Sequence, residues 1–345
     1  MSKLHCLVLT GGGTGSHVMP NLALLPYLRE DWDRVVYMGE TGGVEERLAK
    51  LAGLDFWGTR AIKFDRTHPL RNLAIPRVLS RAIKQAAKHL IEAEATAVFS
   101  KGGYCALPTV LAAHRLGLPI VLHESDYSLG LANRLCRHYT PHLLTAFNTI
   151  EGGECVGNPL RRELAYGDPA ALALLKGKTN LLVFGGSMGA TFLNGLACEL
   201  AQDPTLSVYN VTGKSGVECD LPNYHQVSFA PNIQDYYAAC DCVVCRAGAN
   251  TLFELAALGK PSVVVPLPKG VSRGDQVQNA GYFAARYGFA VVEQEEATVD
   301  RVRQAIGEAI SNPPTSSYDI DAVNRHIATR IRQIVTQQLQ KVAEK

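Results

Sequence analysis

Residues able to do chemistry gather directly behind short apolar runs in this 345-residue chain. Thr10-Gly11-Gly12-Gly13-Thr14-Gly15-Ser16-His17 follows the run at 6–9, and Ser100-Lys101-Gly102-Gly103-Tyr104 follows that at 97–99. Phe184-Gly185-Gly186-Ser187-Met188-Gly189 closes a third, at 180–184. Such runs read as buried parallel strands. Glycine at a strand's end lets the backbone turn sharply and lets a ligand approach the main chain. A helix that follows aims its N–H groups and positive dipole end at the ligand, usually a phosphate. Gly12, Gly13, Gly102, Gly103, Gly185, Gly186 and Gly189 are the candidate phosphate-loop residues. His17, beside these glycines, is a candidate ligand or base, because imidazole titrates near neutral pH. Glu124 and Asp126 follow the run at 120–123, at the carboxyl edge where open α/β sheets bind ligands. Asp126 is equally suited to cap a helix. Glu254 falls one turn into a helix opened by Arg246-Ala247-Gly248-Ala249-Asn250-Thr251. There it can reach a sugar hydroxyl or serve as a solvated first-turn acid.

The elements that must position these groups alternate. Strand patterns at 4–9, 35–38, 97–100, 120–123 and 143–146 are separated by amphipathic helical patterns at 19–30, 45–51, 76–92 and 108–116. This βαβα order predicts an α/β fold with a doubly wound parallel sheet. Gly-Gly, Gly-Asn and Asn-Pro then cluster at 151–159 and mark a break. The alternation restarts at 180–184, 206–212, 224–229, 241–245, 262–265 and 290–292. Two nucleotide-type halves facing a shared cleft are expected, at 1–157 and 158–321. A polar helix pattern within 322–345 is expected to pack back on the first half.

Composition narrows the classes. Hydrophobic residues make up 47% and charged ones 19%, enough for two soluble cores. A formal charge of +2 argues against a dedicated nucleic-acid binder. No apolar stretch approaches the ~20 residues of a membrane span, and no signal peptide is evident. Nine cysteines show no paired spacing, so reduced thiols and a cytoplasmic setting are expected. Gly11-x-Gly13-x-x-Ser16 departs from the dinucleotide fingerprint at its third position, and Glu40 comes late for the ribose acid. An NAD-dependent oxidoreductase is therefore disfavoured. Thr212-Gly213-Lys214-Ser215 has Val208 where a P-loop needs its first glycine. Cys240, Cys242 and Cys245 alternate faces along a strand pattern and cannot converge on one ion. The stretch 64–90 carries Arg66, Arg71, Arg77, Arg81, Lys84 and Lys88 among Leu70, Leu73, Ile75, Leu79 and Ile83. It reads as a contact for an anionic bilayer, through Arg77, Arg81 and Lys84, or as a helix with a solvated basic face.

In order along the chain, these motifs resemble the MurG family, the lipid II-forming N-acetylglucosaminyltransferases of bacterial peptidoglycan synthesis. The resemblance rests on Gly12-Gly13-Thr14-Gly15-Ser16-His17, Lys101-Gly102-Gly103-Tyr104 with Pro108, and His123-Glu124-Ser125-Asp126. It continues through Gly157-Asn158-Pro159-Leu160-Arg161, Gly185-Gly186-Ser187-Met188-Gly189 and Arg246-Ala247-Gly248-Ala249-Asn250. It ends on Gly274-Asp275-Gln276-Val277-Gln278-Asn279-Ala280.

The resemblance implies a GT-B fold, two Rossmann-like domains with the donor sugar-nucleotide mainly on the second. Glu254 then matches the acid on the donor ribose, and Asp275 and Gln276 the pair reading sugar hydroxyls. Ser187 with Met188 matches the nucleotide contact, Arg161 the diphosphate contact, and 229–233, ending at Ile233, the uracil loop. Thr14, Gly15, Ala249 and Asn250 are further implied donor contacts. The implied reaction moves GlcNAc from UDP-GlcNAc to the 4-hydroxyl of MurNAc in undecaprenyl-diphosphate-MurNAc-peptide, lipid I, with inversion. It implies an enzyme peripheral on the inner face of the cell membrane, with no nucleic-acid partner. No Asp-x-Asp metal motif is evident, so no cofactor is expected, with divalent-metal stimulation left open. His17 is the first candidate base, and Glu124 or Asp126 could orient or replace it.

Ser16 stands where the family commonly has Gly, Asp126 where it has Asn, and Asp275 where it has Gln. These departures keep two alternatives open. One is a related GT-B transferase acting on a diacylglycerol or natural-product acceptor; the other is a UDP-GlcNAc epimerase.

Overall fold

The computed structural model describes residues 3–344 except 62–71, 73, 173, 187–188, 271–273 and 316–317. The chain forms two compact units, Met1–Arg161 with Ile320–Lys345, and Arg162–Asp319. They part after Arg161 rather than at 157, and the chain returns at Ile320 rather than 322.

The first unit opens with β1 (Leu4–Thr10), α1 (Gly15–Ala23), α2 (Leu25–Asp31), β2 (Trp32–Glu40), α3 (Val44–Leu51) and β3 (Phe56–Thr59). It continues with α4 (Ile75–Glu92), β4 (Ala97–Ser100), α5 (Leu107–Arg115) and β5 (Ile120–Glu124). α6 (Leu131–Cys136), β6 (Leu143–Thr145) and β7 (Glu154–Cys155) follow. The strands form one parallel sheet in the order β3-β2-β1-β4-β5-β6-β7. Cys6 to Leu9 are fully buried because helices cover both faces, which is why β1 reads as a continuous apolar run.

The second unit comprises β8 (Thr179–Phe184), α7 (Thr191–Leu200), β9 (Leu206–Val211), β10 (Tyr224–Val227) and α8 (Ile233–Ala239). It then adds β11 (Cys242–Cys245), α9 (Ala249–Ala257), β12 (Ser262–Val264), α10 (Asp275–Tyr287), β13 (Ala290–Val291) and α11 (Val299–Ser311). Its parallel sheet runs β10-β9-β8-β11-β12-β13. Each sheet reverses direction of growth beside its first strand, between β1 and β4 and between β8 and β11. In open α/β sheets that switch point is where a crevice opens at the strands' carboxyl ends.

The last helix, α12 (Ile320–Ala343), belongs to the first unit. Ile327, Ile331, Ile334 and Val335 share one buried cluster with Leu28 and Trp32. Asn324 Nδ2 donates to the Leu160 carbonyl at 2.7 Å, and its Oδ1 accepts from Leu160 N–H at 3.1 Å. Arg330 reaches Glu154 at 2.6 Å, and Arg332 pairs with Asp31.

One expectation needs correction. Cys198 on α7 is disulfide-bonded to Cys219, with Cα atoms 5.9 Å apart, so the thiols are not all reduced. The partners lie 21 residues apart and meet because α7 packs on β9 and the chain after β9 returns alongside. On α4, Arg77, Arg81 and Lys84 are exposed, but Ile83, Ala86 and Leu90 are buried in the sheet-facing core. Ile75 and Leu79, on the same turns as Arg77 and Arg81, are only half-buried. Arg66, Leu70, Arg71 and Leu73 lie outside the described residues.

Candidate functional site

Physical chemistry places the first cluster at the β1/β4 switch point. The turn after β1 meets the turn after β4, where Gly12 N–H donates to the Gly102 carbonyl at 3.3 Å. Gly103 sits at φ +84°, and a Cβ there would collide with the Gly12 carbonyl oxygen. Only glycine permits both the backbone angle and the approach. Tyr37 Oη donates to the Gly11 carbonyl at 2.6 Å, fixing the start of the loop from below.

Glu45, on the first turn of α3, is fully buried beneath this loop. Its Oε2 accepts from Gly13 N–H at 3.2 Å and its Oε1 from Glu40 N–H at 3.0 Å. The Gly12 and Gly13 N–H groups are thus engaged within the protein, with a carboxylate behind them. The phosphate-cradle expectation for these two glycines is not met in this conformation. Sequence reading passed over Glu45 because an acid in a helix's first turn is commonplace.

Thr14 and His17 sit at the start of α1. His17 Nδ1 lies 2.9 Å from Thr14 Oγ1, which lies 2.7 Å from Ser16 Oγ. When His17 Nδ1–H donates to Thr14, Nε2 carries the lone pair a base needs. Thr14, implied as a donor contact, here orients the histidine.

Glu124 ends β5 and is nearly buried. Its Oε1 accepts from the N–H groups of Ser125 at 3.0 Å and Asp126 at 3.2 Å. Its Oε2 accepts from Gly130 N–H at 2.9 Å and from Asn133 Nδ2 at 3.0 Å. Four donors on one carboxylate shape the loop. Glu124 is therefore the loop's organising group, and it stands beside His17 and Asp126 among the candidate proton acceptors. Asp126 is half-buried on the corner that Glu124 holds.

Lys101 emerges as a further member. It is 2% exposed, with Nζ 2.6 Å from His123 Nδ1 and 2.6 Å from Ser125 Oγ. Ser125 Oγ donates to Asn158 Oδ1 at 2.7 Å, and His123 Nε2 lies 2.9 Å from the Gly157 carbonyl. Burial pushes the Lys101 ammonium down to about 7, against the pull of Glu124 and Asp126. Burial, then the Lys101 charge, holds His123 well below the usual imidazole range. The sequence signal was Lys101 itself, a charge inside a strand-end glycine turn.

The second cluster borders the β8/β11 switch point. Gly185 and Gly186 leave β8, and α7 begins at Thr191, later than the glycines alone imply. Gly189, at φ +78°, packs where a Cβ would strike the Thr212 carbonyl. Asn194 Nδ2 donates to that same carbonyl at 3.0 Å, fastening α7 to the end of β9. Ser187 and Met188 lie outside the described residues. The residues that open α7, α9 and α10, Ala190, Gly248 and Gly274, carry no side-chain cap.

Ala249 and Asn250 open α9, and Glu254 follows one turn in. Tyr237 Oη donates to Glu254 Oε2 at 3.0 Å, which sets the carboxylate's orientation. Asp275 and Gln276 open α10, and Gln276 Oε1 accepts from Leu267 N–H at 3.0 Å. Arg246 is structural: Nη1 donates to the Val265 and Pro266 carbonyls at 3.0 and 3.2 Å, and Nη2 to Gln294 Oε1 at 2.5 Å. Ile233 opens α8 behind Phe229, which is 66% exposed. Arg161, half-buried, closes the first unit. Cys240, Cys242 and Cys245 are core residues. Among the described residues no group of three His, Cys, Asp or Glu side chains converges to hold a metal.

Residues 7–143 match the glycosyltransferase family 28 N-terminal domain, and residues 180–335 the family's C-terminal domain. A protein of Clostridium botulinum (strain 657 / Type Ba4) is 36% identical over 312 residues, 86% of this chain and 88% of that protein. It is named UDP-N-acetylglucosamine–N-acetylmuramyl-(pentapeptide) pyrophosphoryl-undecaprenol N-acetylglucosamine transferase. The chain belongs to the MurG family, within glycosyltransferase family 28. A family member of the same name from Legionella pneumophila (strain Corby) is 33% identical over 340 residues, 94% of each chain. The crystal structure of Acinetobacter baumannii MurG superposes with a TM-score of 0.68, at 24% identity and full coverage of both chains. The MurG-family fold is therefore GT-B, and the two switch-point clusters lie one in each of its Rossmann-like domains.

Proposed function

We propose that the chain transfers GlcNAc from UDP-GlcNAc to the 4-hydroxyl of MurNAc in lipid I, yielding lipid II with inversion at the anomeric carbon. The carrying observation is the 36% identity to the named transferase over most of both chains. Neither an epimerase nor a natural-product transferase has comparable support.

On the second unit, Glu254, oriented by Tyr237, takes the donor ribose, and Asp275 and Gln276 read the sugar. Ser187, Met188, Asn250 and Ile233 are further donor contacts in this reading. The uncapped start of α7 meets the diphosphate, where helix N–H groups stabilise the charge that grows as UDP departs. Arg161 matches the family's diphosphate contact in this reading. On the first unit, His17 takes the acceptor proton through Nε2 when its Nδ1–H donates to Thr14 Oγ1, and Asp126 or Glu124 is the alternative base. Attack by the acceptor oxygen breaks the bond to the UDP oxygen in one step, so one base suffices. No metal is required by this scheme, because the helix end and Arg161 supply the positive field.

The lipid acceptor calls for a bilayer surface. Exposed Leu131, Leu135 and Tyr139 line one face of α6 and the turn after it, beside exposed Arg134 and Arg137. Apolar side chains interleaved with arginines suit an anionic membrane, and this patch exposes more apolar surface than the described part of α4, where Ile75 and Leu79 are half-buried. No described helix is long and apolar enough to cross a membrane, which supports peripheral attachment.

The deciding experiment incubates the protein with radiolabelled UDP-GlcNAc and a lipid I analogue, with diacylglycerol as competing acceptor and excess chelator in a parallel arm. Labelled disaccharide product is expected in both arms. Product on diacylglycerol alone, or an epimerised donor without acceptor, would overturn the reading.

A further inference from the structure

The network around Lys101 has a fixed direction. The Gly157 carbonyl can only accept, so His123 Nε2 carries the hydrogen and Nδ1 presents its lone pair. Lys101 Nζ donates to that lone pair. Ser125 Oγ donates onward to Asn158 Oδ1 and must accept from the same Nζ. One buried nitrogen therefore holds three segments: the end of β5, the Ser125–Asp126 corner, and the turn at Gly157 and Asn158. Its two hydrogen-bond partners are both neutral. A buried ammonium with only neutral partners carries a desolvation cost that carboxylates nearby can offset. The titratable groups facing it are His123 and Glu124 on β5 and Asp126 beyond it, and Gly11 of the first loop lies against its Cβ. Glu124 is already saturated by four N–H donors, which leaves Asp126 as the carboxylate whose placement answers to this cation. Asp126 also stands where the family commonly has the neutral Asn.

We propose that Lys101 is a positioning residue for acceptor attack: its buried Nζ, bonded to His123 and Ser125, anchors the Ser125–Asp126 corner and so sets where Asp126 meets the acceptor sugar. The inference rests on the transferase reading above. Lys101 touches no substrate; it acts through Ser125 and Asp126. Its charged state is the competent one, so turnover declines as the ammonium deprotonates.

The test compares wild type, Lys101→Met, Ser125→Ala, Asp126→Asn and the Lys101→Met/Asp126→Asn double variant. Each is assayed for kcat and both KM values across pH, with UDP binding measured by calorimetry. Lys101→Met should lower kcat with the lipid I analogue by about tenfold or more while UDP affinity stays within about twofold. Ser125→Ala, which keeps the cation, should lower the same constant by less. The double variant should lose no more than the more impaired of its two single variants, because both residues act through one carboxylate. An alkaline limb in the wild-type profile should be absent from Lys101→Met. If Lys101→Met and Ser125→Ala keep wild-type kcat and the alkaline limb persists, the proposal is overturned. Additive losses in the double variant, or parallel loss of UDP binding, also overturn it, by making Lys101 merely structural. A wild type inert toward the muramyl acceptor but active on another refutes the functional reading instead.

Discussion

Replacing Glu124 by Gln tests whether this carboxylate shapes the loop or takes the proton. The structure gives it four N–H donors, two on each oxygen. An amide keeps only one oxygen. Whichever way the Gln side chain is turned, its NH2 faces two donors: either Ser125 and Asp126 N–H, or Gly130 N–H and Asn133 Nδ2. Two hydrogen bonds to a charged acceptor are lost, at ~1.5–3 kcal/mol each. Relaxation of a loop edge toward water recovers part of that, leaving a net cost of ~2–4 kcal/mol. For a unit of this size each kcal/mol lowers the melting midpoint by ~2–4 °C. Scanning calorimetry should therefore show the first unit's transition shifted down by roughly 5–15 °C. Turnover should fall about tenfold through displacement of Asp126, with the shape of the pH–rate profile retained. A midpoint within about one degree of wild type would refute the reasoning. So would a fall in turnover beyond about a thousandfold with loss of the acidic limb, which would make Glu124 the base.

Lys101 binds its proton more weakly folded, at about 7, than at the ordinary 10.5 of an unfolded lysine. Between those values the unfolded chain holds the extra proton, so stability should rise with pH from about 7 to 10. Urea titrations of wild type should show this rise and those of Lys101→Met should lack it; parallel curves would contradict the placement. His17→Ala should cut turnover by roughly 10²–10⁴-fold with UDP still bound, and a loss below about threefold would shift the base to Asp126. Glu254→Ala should raise the donor KM by about ten- to a hundredfold, matching ~1.5–3 kcal/mol for a charged hydrogen bond, and unchanged UDP affinity would remove it from the site. Arg134→Glu with Arg137→Glu should weaken binding to anionic vesicles by about 2 kcal/mol, roughly thirtyfold. Arg77→Glu with Arg81→Glu should matter less, and the reverse order in a flotation assay would return the membrane surface to α4.

Much of the architecture was legible because each buried parallel strand leaves a continuous apolar run and each strand end a turn signal. β1, β4, β5, β8, β11 and β12 stood out for that reason. β3 and β7 did not: they are edge strands with half-buried or exposed residues, so burial left no pattern on them. Glycine turns and Glu254 were visible from the residues that follow strand patterns, whereas Gln276 came only with the family resemblance. Glu45 and Lys101 were not recognised, because their roles come from burial under neighbouring loops, which spacing does not encode. In the basic stretch Ile83 and Leu90 occupy the period of a core-facing stripe, while Arg77, Arg81, Lys84 and Lys88 take the solvent side. The Cys198–Cys219 pair needed the return of a loop after β9 to bring its sulfurs together.

The placement of α12 has a consequence for how the protein is made. Ribosomes deliver chain from the N-terminus at ~5–20 residues per second, so producing everything from residue 162 to the end of α12 takes roughly ten to forty seconds. Through that interval the nascent first unit lacks Ile327, Ile331, Ile334 and Val335, which belong with Leu28 and Trp32 in one apolar cluster. Asn324 is equally missing from the Leu160 backbone it fastens. The second unit, wholly contained between the two stretches of the first, has all its strands available earlier. Translation order thus inverts the order of completion: the part begun first closes last. A message cut short anywhere before α12 yields a polypeptide with an open greasy seam, a ready mark for chaperones and proteases. Synthesis itself thereby screens for chains that carry both halves of the catalytic apparatus.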